Sequence, residues 1–350
     1  MRRTLITSLT LLFATLCIYS APATNQDKST PINSMMQPLA DVDITAFSTS
    51  VECLSYISAG SSVETGDYAK KISNGLDIVL TAVDNNNFTR SKYSGFITVF
   101  PMIFLAELLY DKDKLKDEDK RKSVKKSLEK IVRLVEEGQK EGVGVADGAD
   151  GSGAWGYSIA EDKKSGRRKA QSAACCVIGL IAAKKAGIKV SEKAIDNGIS
   201  YLRRCVSQTG QVGYQGPQTP QNYGGYGRTA GLLYCMKYAN LEKESEYQKA
   251  LKWLDANKPE KDYDAHAGAF MAWGFIWGGL FHSIRNSKED KIHSNYLEEI
   301  FKDIKNKDGT WNGKEWKFKD TALFGDMTRL AMLGYQFKDK KITVLLLEKK

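Results

Sequence analysis

Residues 170–206 read AQSAACCVIGLIAAKKAGIKVSEKAIDNGISYLRRCV. The first half, Ala170 to Ala186, is apolar almost all round, whereas Ser191 to Val206 has apolar residues at three- and four-residue spacing and a charged face. A helix that is apolar on every side must be covered on every side, and an amphipathic helix shows its charged face to water. The stretch therefore predicts an inner helix followed by an outer helix that covers it.

The same alternation recurs along the chain. The predicted inner helices are Phe96 to Leu109, Ala170 to Ala186, Arg228 to Ala239, Ala265 to Ile284 and Thr321 to Gly334. The predicted outer helices are Tyr68 to Leu80, Arg121 to Glu137, Ser191 to Val206, Glu244 to Asn257 and Tyr296 to Lys305. Because strand patterns are nearly absent, the fold class is predicted to be all-α, with two concentric layers of helices.

An internal repeat supports this architecture. The pair Gly156-Tyr157 is followed by Ser172-Ala173, and the pair Gly213-Tyr214 is followed at the same interval by Thr229-Ala230. The two copies are 57 residues apart (213 − 156). Helical repeats of this length form open solenoids or closed rings. Neither end of the chain has a polar capping helix, and Lys341 to Leu347 is apolar enough to pack. We therefore predict a closed α/α toroid.

Composition and the N-terminus set the class and compartment. The chain has 350 residues, 42% of them hydrophobic, which excludes wholesale disorder, collagen and a small disulfide scaffold. Residues 1–23 have the Arg2-Arg3 start, apolar stretch and Ala21-Pro22-Ala23 end typical of a signal peptide, with an uncleaved anchor as the alternative. The prediction is a secreted or periplasmic protein with a flexible lead-in over 24–43, one toroid domain over 44–350 and no later membrane span.

Cysteines and charge limit the partners. Five cysteines remain after residue 23, an odd number, and Cys175-Cys176 lies in an apolar run that favours small buried side chains over a redox role. No Cys or His spacing is typical of zinc, so we predict neither a metal nor another cofactor. The formal charge of +9, combined with export, favours a glycan, an anionic lipid or an acidic envelope polymer as partner and disfavours nucleic acid.

The turn Lys305-Asn306-Lys307-Asp308-Gly309-Thr310-Trp311, together with the Gly-Tyr repeats, resembles the repeats of the squalene cyclase and protein prenyltransferase superfamily. In that superfamily a Gln-x-x-Asp-Gly-x-Trp turn joins an outer to an inner helix of an α/α toroid. The chain lacks the DxDD motif of the cyclases, the Asp-x-Cys zinc ligands of the prenyltransferases and the DDxxD motif of Mg-dependent terpene synthases. The resemblance therefore implies the fold and leaves the reaction open.

Aromatic residues at one end of the predicted ring are the candidate ligand contacts. The 22-residue segment Ser207 to Arg228 combines tyrosines with glutamines, a composition suited to carbohydrate or peptide, although an enlarged repeat turn explains it equally. The inner helix Ala265 to Ile284 adds an aromatic stripe that either lines a cavity or fills the core. The predicted ligand-binding residues are Trp155, Tyr157, Tyr214, Tyr223, Tyr226, Trp273, Trp277 and Trp311.

A candidate acid-base group precedes the same helix. Asp262, Asp264 and His266 place two carboxylates within four residues of an imidazole, an arrangement that suits proton transfer. Capping of the first helical turn by the carboxylates is the alternative. His282 is too far along the helix to join that site, and His293 is expected to face solvent.

These observations support three functional hypotheses. The first is a ligand-binding or scaffold module of the cell envelope. The second is an enzyme that acts on a carbohydrate or polymer in the toroid cavity, with Asp264 and His266 as acid-base pair. The third is a degenerate terpene cyclase, which the missing DxDD and the export signal disfavour.

Overall fold

The computed structural model describes residues 42–87, 93–141, 151–160, 168–217, 225–258, 265–285, 291–296, 298–299 and 333–347. Within them the helices are α1 Val42–Ser58, α2 Ala69–Asp84, α3 Ser94–Ile97, α4 Val99–Tyr110, α5 Glu118–Glu137, α6 Ala170–Lys185, α7 Glu192–Arg204, α8 Gly225–Tyr238, α9 Ser245–Ala256, α10 Ala265–Arg285 and α11 over 291–296. Two 3₁₀ turns follow, at Phe337–Asp339 and Thr343–Leu345.

The outer helices start at polar caps and bury one stripe. Asp117 Oδ1 accepts hydrogen bonds from the amides of Asp119 and Lys120 at the start of α5, which hold the pKa of this carboxyl below its ordinary value. Along α5 the buried positions include Val124, Leu128, Ile131 and Val135, spaced three and four residues apart. Lysines on the other side of the helix reach water, as the amphipathic pattern predicts.

The inner helices are buried all round. Every residue of α6 from Ala170 to Ala183 is buried, and so is every residue of α4 from Val99 to Leu108. Helix α6 packs on α4, α7 and α8, so neighbours cover it on several sides. The alternation of uniformly apolar and amphipathic segments therefore becomes two layers, as predicted.

Neighbouring inner helices run in the same direction. A side chain at Gly95 would meet Ser172, and one at Gly179 would meet Met102, so α3–α4 and α6 advance together. On the other side of α6, Gly231 of α8 lies against Ala174. Glycine at these contacts permits the close approach of helices whose axes point the same way. The inner helices consequently begin at one end of the ring, called here the N-terminal face.

The C-terminal segment closes the ring. Gln336 donates its side-chain amide to the carbonyl of Ser55 (3.5 Å) and accepts a hydrogen bond from Ser58 Oγ (3.4 Å), which joins the segment to α1. Gly334 packs directly on the backbone of α10 near Phe275. The described helices therefore form an all-α, closed α/α toroid.

The same segment seals the end of the ring opposite the N-terminal face. The buried Glu107 carboxylate, near the end of α4, accepts hydrogen bonds from the amides of Thr343 (2.9 Å) and Val344 (2.7 Å). Tyr234 of α8 donates to the carbonyl of Leu345 (3.0 Å). Since Val344 and Leu345 are themselves fully buried, this end is filled by the chain's own residues. A ligand entering the ring would come from the N-terminal face.

Aromatic side chains occupy the axis of the ring. Phe100 of α4 stacks on Trp273 and Trp277 of α10, with ring centroids 6.0 and 5.8 Å apart, and Phe47 of α1 meets Phe100 edge-on. Trp273 and Trp277 are at most 1% exposed. In this structure the predicted aromatic stripe of α10 therefore fills the core of the ring.

Two predicted helices are only partly described. The inner helix Thr321 to Gly334 lies outside the described residues except for its last two positions. Of the outer helix Tyr296 to Lys305 the structure describes residues 296, 298 and 299, which are helical as predicted, and residues 291–295 before them are helical as well. Helix α1 was not among the predicted helices, because its serines break the pattern of uniformly apolar residues.

Candidate functional site

The Gly-Tyr turns of the repeat cap the inner helices at the N-terminal face. The amide of Gly95 donates to the carbonyl of Tyr157 (2.7 Å), and the amide of Ala170 donates to the carbonyl of Tyr214 (3.0 Å). Each turn thus supplies an acceptor for an amide at the start of the preceding inner helix, where no intrahelical partner exists. This places the two tyrosines at the N-terminal face.

The same two tyrosines meet through their hydroxyl groups, which form a hydrogen bond. The Lys169 ammonium lies 3.9 Å from the centroid of the Tyr214 ring and 4.9 Å from that of Tyr157. Lys169 is 1% exposed, whereas both tyrosines are half-buried. A cation over two aromatic faces is attracted by the ring quadrupoles. The repeat therefore builds a shared cation site from equivalent tyrosines of two successive units.

Arg228 adds a second cation at this position. Its Nε donates to the carbonyl of Val212 (3.0 Å), and its guanidinium carbon lies 5.5 Å from the Tyr214 ring centroid. Its side chain is fully buried. We use the name face cluster for the group formed by Tyr157, Lys169, Tyr214 and Arg228. Two buried cations thus lie beside the starts of α6 and α8, where the helix dipoles are positive.

Two further polar atoms lie in the first turn of α6. Gln171 and Ser172 are fully buried, and within the described residues neither Gln171 Oε1 nor Ser172 Oγ has a hydrogen-bond partner. The Gln171 amide nitrogen donates to Cys175 Sγ (3.6 Å). Most buried polar atoms in proteins are hydrogen-bonded, so these two are candidate contacts for a polar ligand. They follow Lys169 in the chain after one intervening residue, Ala170.

The predicted ligand-binding residues lie in different parts of the structure. Tyr157 and Tyr214 belong to the face cluster. Trp155 is fully buried and donates its ring N–H to the carbonyl of Val135 (2.7 Å), a contact that ties a turn to α5. Tyr226, Trp273 and Trp277 are buried, the two tryptophans in the ring axis. Tyr223 and Trp311 lie outside the described residues.

The predicted acid-base group remains a prediction. Asp262 and Asp264 lie outside the described residues, and His266 falls in the first turn of α10, where only the backbone is described. Helix α10 starts at the N-terminal face, since Gly227 of α8 packs on the backbone at Trp273. His266 thus begins an inner helix at the same end of the ring as the face cluster.

The expectation that His293 faces solvent is wrong. His293 is 6% exposed and its ring stacks on that of His282, with centroids 4.4 Å apart. Sequence reasoning also missed Lys169, Arg228 and Gln171. For Lys169 and Arg228 a signal existed, because each immediately precedes or begins an inner helix next to a Gly-Tyr repeat.

The five cysteines after residue 23 are free and buried: Cys53, Cys175, Cys176, Cys205 and Cys235. Burial raises the pKa of the Cys175 thiol to about 12 and that of Cys205 to about 12, so neither is a nucleophile at neutral pH. In the described part of the chain no three His, Cys, Asp or Glu side chains are grouped as metal ligands. None of the helices in that part is long and apolar enough to cross a membrane.

Comparisons with known proteins place the chain in a family. A search of curated proteins gives no match. Among solved structures, a glycoside hydrolase family 76 mannosidase from Bacteroides thetaiotaomicron VPI-5482 is similar with a TM-score of 0.49 and 9% identity, over 85% of this chain and 86% of that chain. The family model described as domain of unknown function (DUF6288) matches residues 126–345, a range that includes the whole face cluster. The chain belongs to this family.

Proposed function

We propose that the chain is an exported binding module of the cell envelope that holds an acidic glycan at the N-terminal face. The observation that carries the proposal is the face cluster, in which Lys169 lies over Tyr157 and Tyr214 with Arg228 alongside. Two cations and two helix N-termini attract an anionic group such as the carboxylate of an acidic sugar. Half-buried tyrosines leave ring surface at the same place for a sugar.

The polar atoms of α6 support a ligand with hydroxyl groups. Gln171 Oε1 accepts hydrogen bonds, and Ser172 Oγ both donates and accepts. A polyhydroxylated ligand satisfies such atoms, whereas an apolar terpenoid leaves them unpaired at a cost. The aromatic axis of Phe100, Trp273 and Trp277 is filled by its own side chains. The ligand is therefore a surface segment of a glycan at the face, not a hydrocarbon threaded through the ring.

A second candidate function is hydrolysis of the same glycan. It is favoured by the position of α10, which begins beside α8 at the N-terminal face with His266 in its first turn. Asp264 and His266 would then act as the acid-base pair on a bond presented by the face cluster. The two candidates share a ligand class and differ in whether the ligand is cleaved.

The test is binding of the full mature chain to acidic and neutral polysaccharides, measured by calorimetry. We expect binding to polygalacturonate, weakening as salt is raised from about 20 mM to about 300 mM, and none to neutral mannan. Incubation with the same polymer and analysis of its length separates binding from hydrolysis. Vesicles of anionic lipid test the lipid alternative. Equal binding to neutral and acidic polymers, or binding to vesicles alone, would overturn the proposal.

A further inference from the structure

A second polar cluster lies where α8, α9, α10 and α11 meet. Tyr226 Oη is 3.0 Å from His282 Nε2 and 3.3 Å from His293 Nδ1. The two imidazole rings stack with an interplanar angle of 24°, and both histidines are at least nine-tenths buried. The three residues, called the histidine latch below, bring together α8, α10 and α11. The face cluster does not include any of them.

The hydrogen bonds of the latch fit two neutral imidazoles. The Tyr226 hydroxyl has one proton to donate, so one of the two facing nitrogens accepts it and the other donates its own N–H to the phenol oxygen. His293 Nε2 has no hydrogen-bond partner in the described residues, and the adjacent ring carbon packs against Gly278, where a Cβ would come within 2.9 Å. Burial, followed by the effect of His282, lowers the pKa of His293.

The charged groups around the latch do not favour its protonation. Asp255, at the end of α9, forms a two-point ion pair with Arg285 of α10, one contact measuring 2.9 Å. Lys258 lies 5.2 Å from the centroid of the Tyr296 ring of α11, and Lys291 is exposed at the start of that helix. The Asp255 carboxylate, which also lines the cavity beside the latch, is therefore already paired, and Lys258 and Lys291 are positive.

A small cavity lies beside the latch. Its volume is about 40 Å³, and the residues that line it include His282, His293, Tyr226, Asn257 and Tyr296. Ile292, which is 58% exposed, stands at its edge. Space of this size holds ordered water, through which protons reach the rings. Movement of α11 would enlarge the cavity, because α11 carries His293, Ile292 and Tyr296.

We propose that the histidine latch is an acid-sensitive device that holds α11 against α8 and α10 at neutral pH and releases it when His293 is protonated. Protonation of His293 would place a charge in a buried site, with the centroid of the His282 ring 4.4 Å away. The stabilisation by the neutral His293 ring is fully present above the ordinary histidine pKa of about 6.5, and it is lost as the pH falls below that value. For each proton that is taken up when α11 opens, the equilibrium constant for opening rises about tenfold when the pH falls by one unit.

The test is hydrogen exchange of peptides that cover 291–296 in the full mature chain, corrected for intrinsic exchange rates. Between about pH 7 and about pH 5 we expect opening of α11 to rise at least about tenfold. His293→Phe keeps a stacked ring and removes the ionisable nitrogens, so the rise should fall below about threefold. His266→Phe replaces a histidine of α10 that is not part of the latch, so it is the matched control and should keep the full rise.

Two results would overturn the latch. One is protection of 291–296 that is unchanged at about pH 5 in the unmodified chain. The other is a rise that survives His293→Phe or disappears in His266→Phe. If His293→Phe does not fold, Tyr226→Phe gives the same decision, because it removes the shared hydroxyl and leaves His293 in place. It should lower protection at neutral pH and retain the acid response; unchanged protection at neutral pH would contradict the role of the hydroxyl.

Discussion

In the part of the chain that the structure describes, one lysine lies over two tyrosines in two places, and the two clusters differ in position and charge. In the face cluster, Lys169 is buried over Tyr157 and Tyr214. On the outer layer, Lys71 of α2 lies 5.3 Å from the Tyr56 ring centroid and 5.6 Å from that of Tyr68, and it is exposed. The same set of one lysine and two tyrosines thus occurs inside the ring's open end and on its outer surface.

The charged groups beside the tyrosines of the two clusters differ as well. In the outer cluster the Tyr56 hydroxyl donates to the Glu52 carboxylate, which offsets the lysine charge. In the face cluster Arg228 adds a positive charge beside Tyr214. The comparison teaches that lysine over tyrosine is by itself a surface contact, and that burial, a second cation and helix N-termini make it a candidate anion site.

The largest expected difference between the clusters is in stability. Lys169→Ala removes a buried stem and a cation from between two rings, so we expect the free energy of unfolding to fall by about 2–3 kcal/mol. Lys71→Ala removes an exposed side chain and should lower it by less than about 0.5 kcal/mol. Urea denaturation followed by circular dichroism measures both. Equal effects of the two substitutions would mean that burial does not distinguish the clusters.

The next difference is in affinity. Lys169→Met keeps an apolar stem of similar length and removes the charge, so affinity for polygalacturonate should fall about tenfold, which is about 1.4 kcal/mol. Lys71→Met should change it less than about twofold. Calorimetric titration of both variants, with their melting curves as controls for folding, makes the comparison. A greater loss of affinity in Lys71→Met than in Lys169→Met would indicate that the binding site is on the outer layer.

A smaller effect is expected from the hydroxyl pair of the face cluster. Tyr157→Phe leaves the Tyr214 hydroxyl without its partner, so stability should fall by about 1 kcal/mol. Because the two hydroxyls form one bond, adding Tyr214→Phe should cost less than its single substitution does. A double-mutant cycle by urea denaturation measures the coupling. Additive effects would show that the two hydroxyls act independently.

The smallest expected effect is on salt dependence. Removing one ligand-facing charge should reduce the slope of log affinity against log salt in Lys169→Met and leave it unchanged in Lys71→Met, over about 20 mM to about 300 mM salt. Calorimetry at several salt concentrations gives the slopes. Parallel slopes for the unmodified chain and both variants would exclude a direct contact between Lys169 and the ligand charge.

The sequence predicted the layers well because the deciding signal is local. Ala170 to Ala186 and Ser191 to Val206 differ in periodicity over a few turns, and the structure confirms an inner α6 and an outer α7. The Gly-Tyr repeat also predicted that Tyr157 and Tyr214 are equivalent. Their carbonyls cap successive inner helices, so the repeat has a structural cause.

The site was harder to predict because it depends on contacts between distant residues. Nothing near Lys169 in the sequence shows that its ammonium lies between rings from two repeat units. His293 sits among charged residues, and its burial results from stacking on His282 across a helix-to-helix contact. From the sequence, Trp273 and Trp277 could line a cavity or fill the core. In the structure they stack on Phe100 of another helix, so they fill the core. The link to squalene cyclases and the export of the chain stay predictions.

The position at which the glycan contacts the chain is the most direct test of the proposed binding site. Hydrogen exchange of the full chain, with and without oligogalacturonate, reports that position without any substitution. We predict new protection in peptides covering 169–175 and 225–231 and no change over 69–84, which carries Lys71. Protection confined to 69–84, or no protection at saturating ligand, would contradict the assignment of the N-terminal face as the binding site.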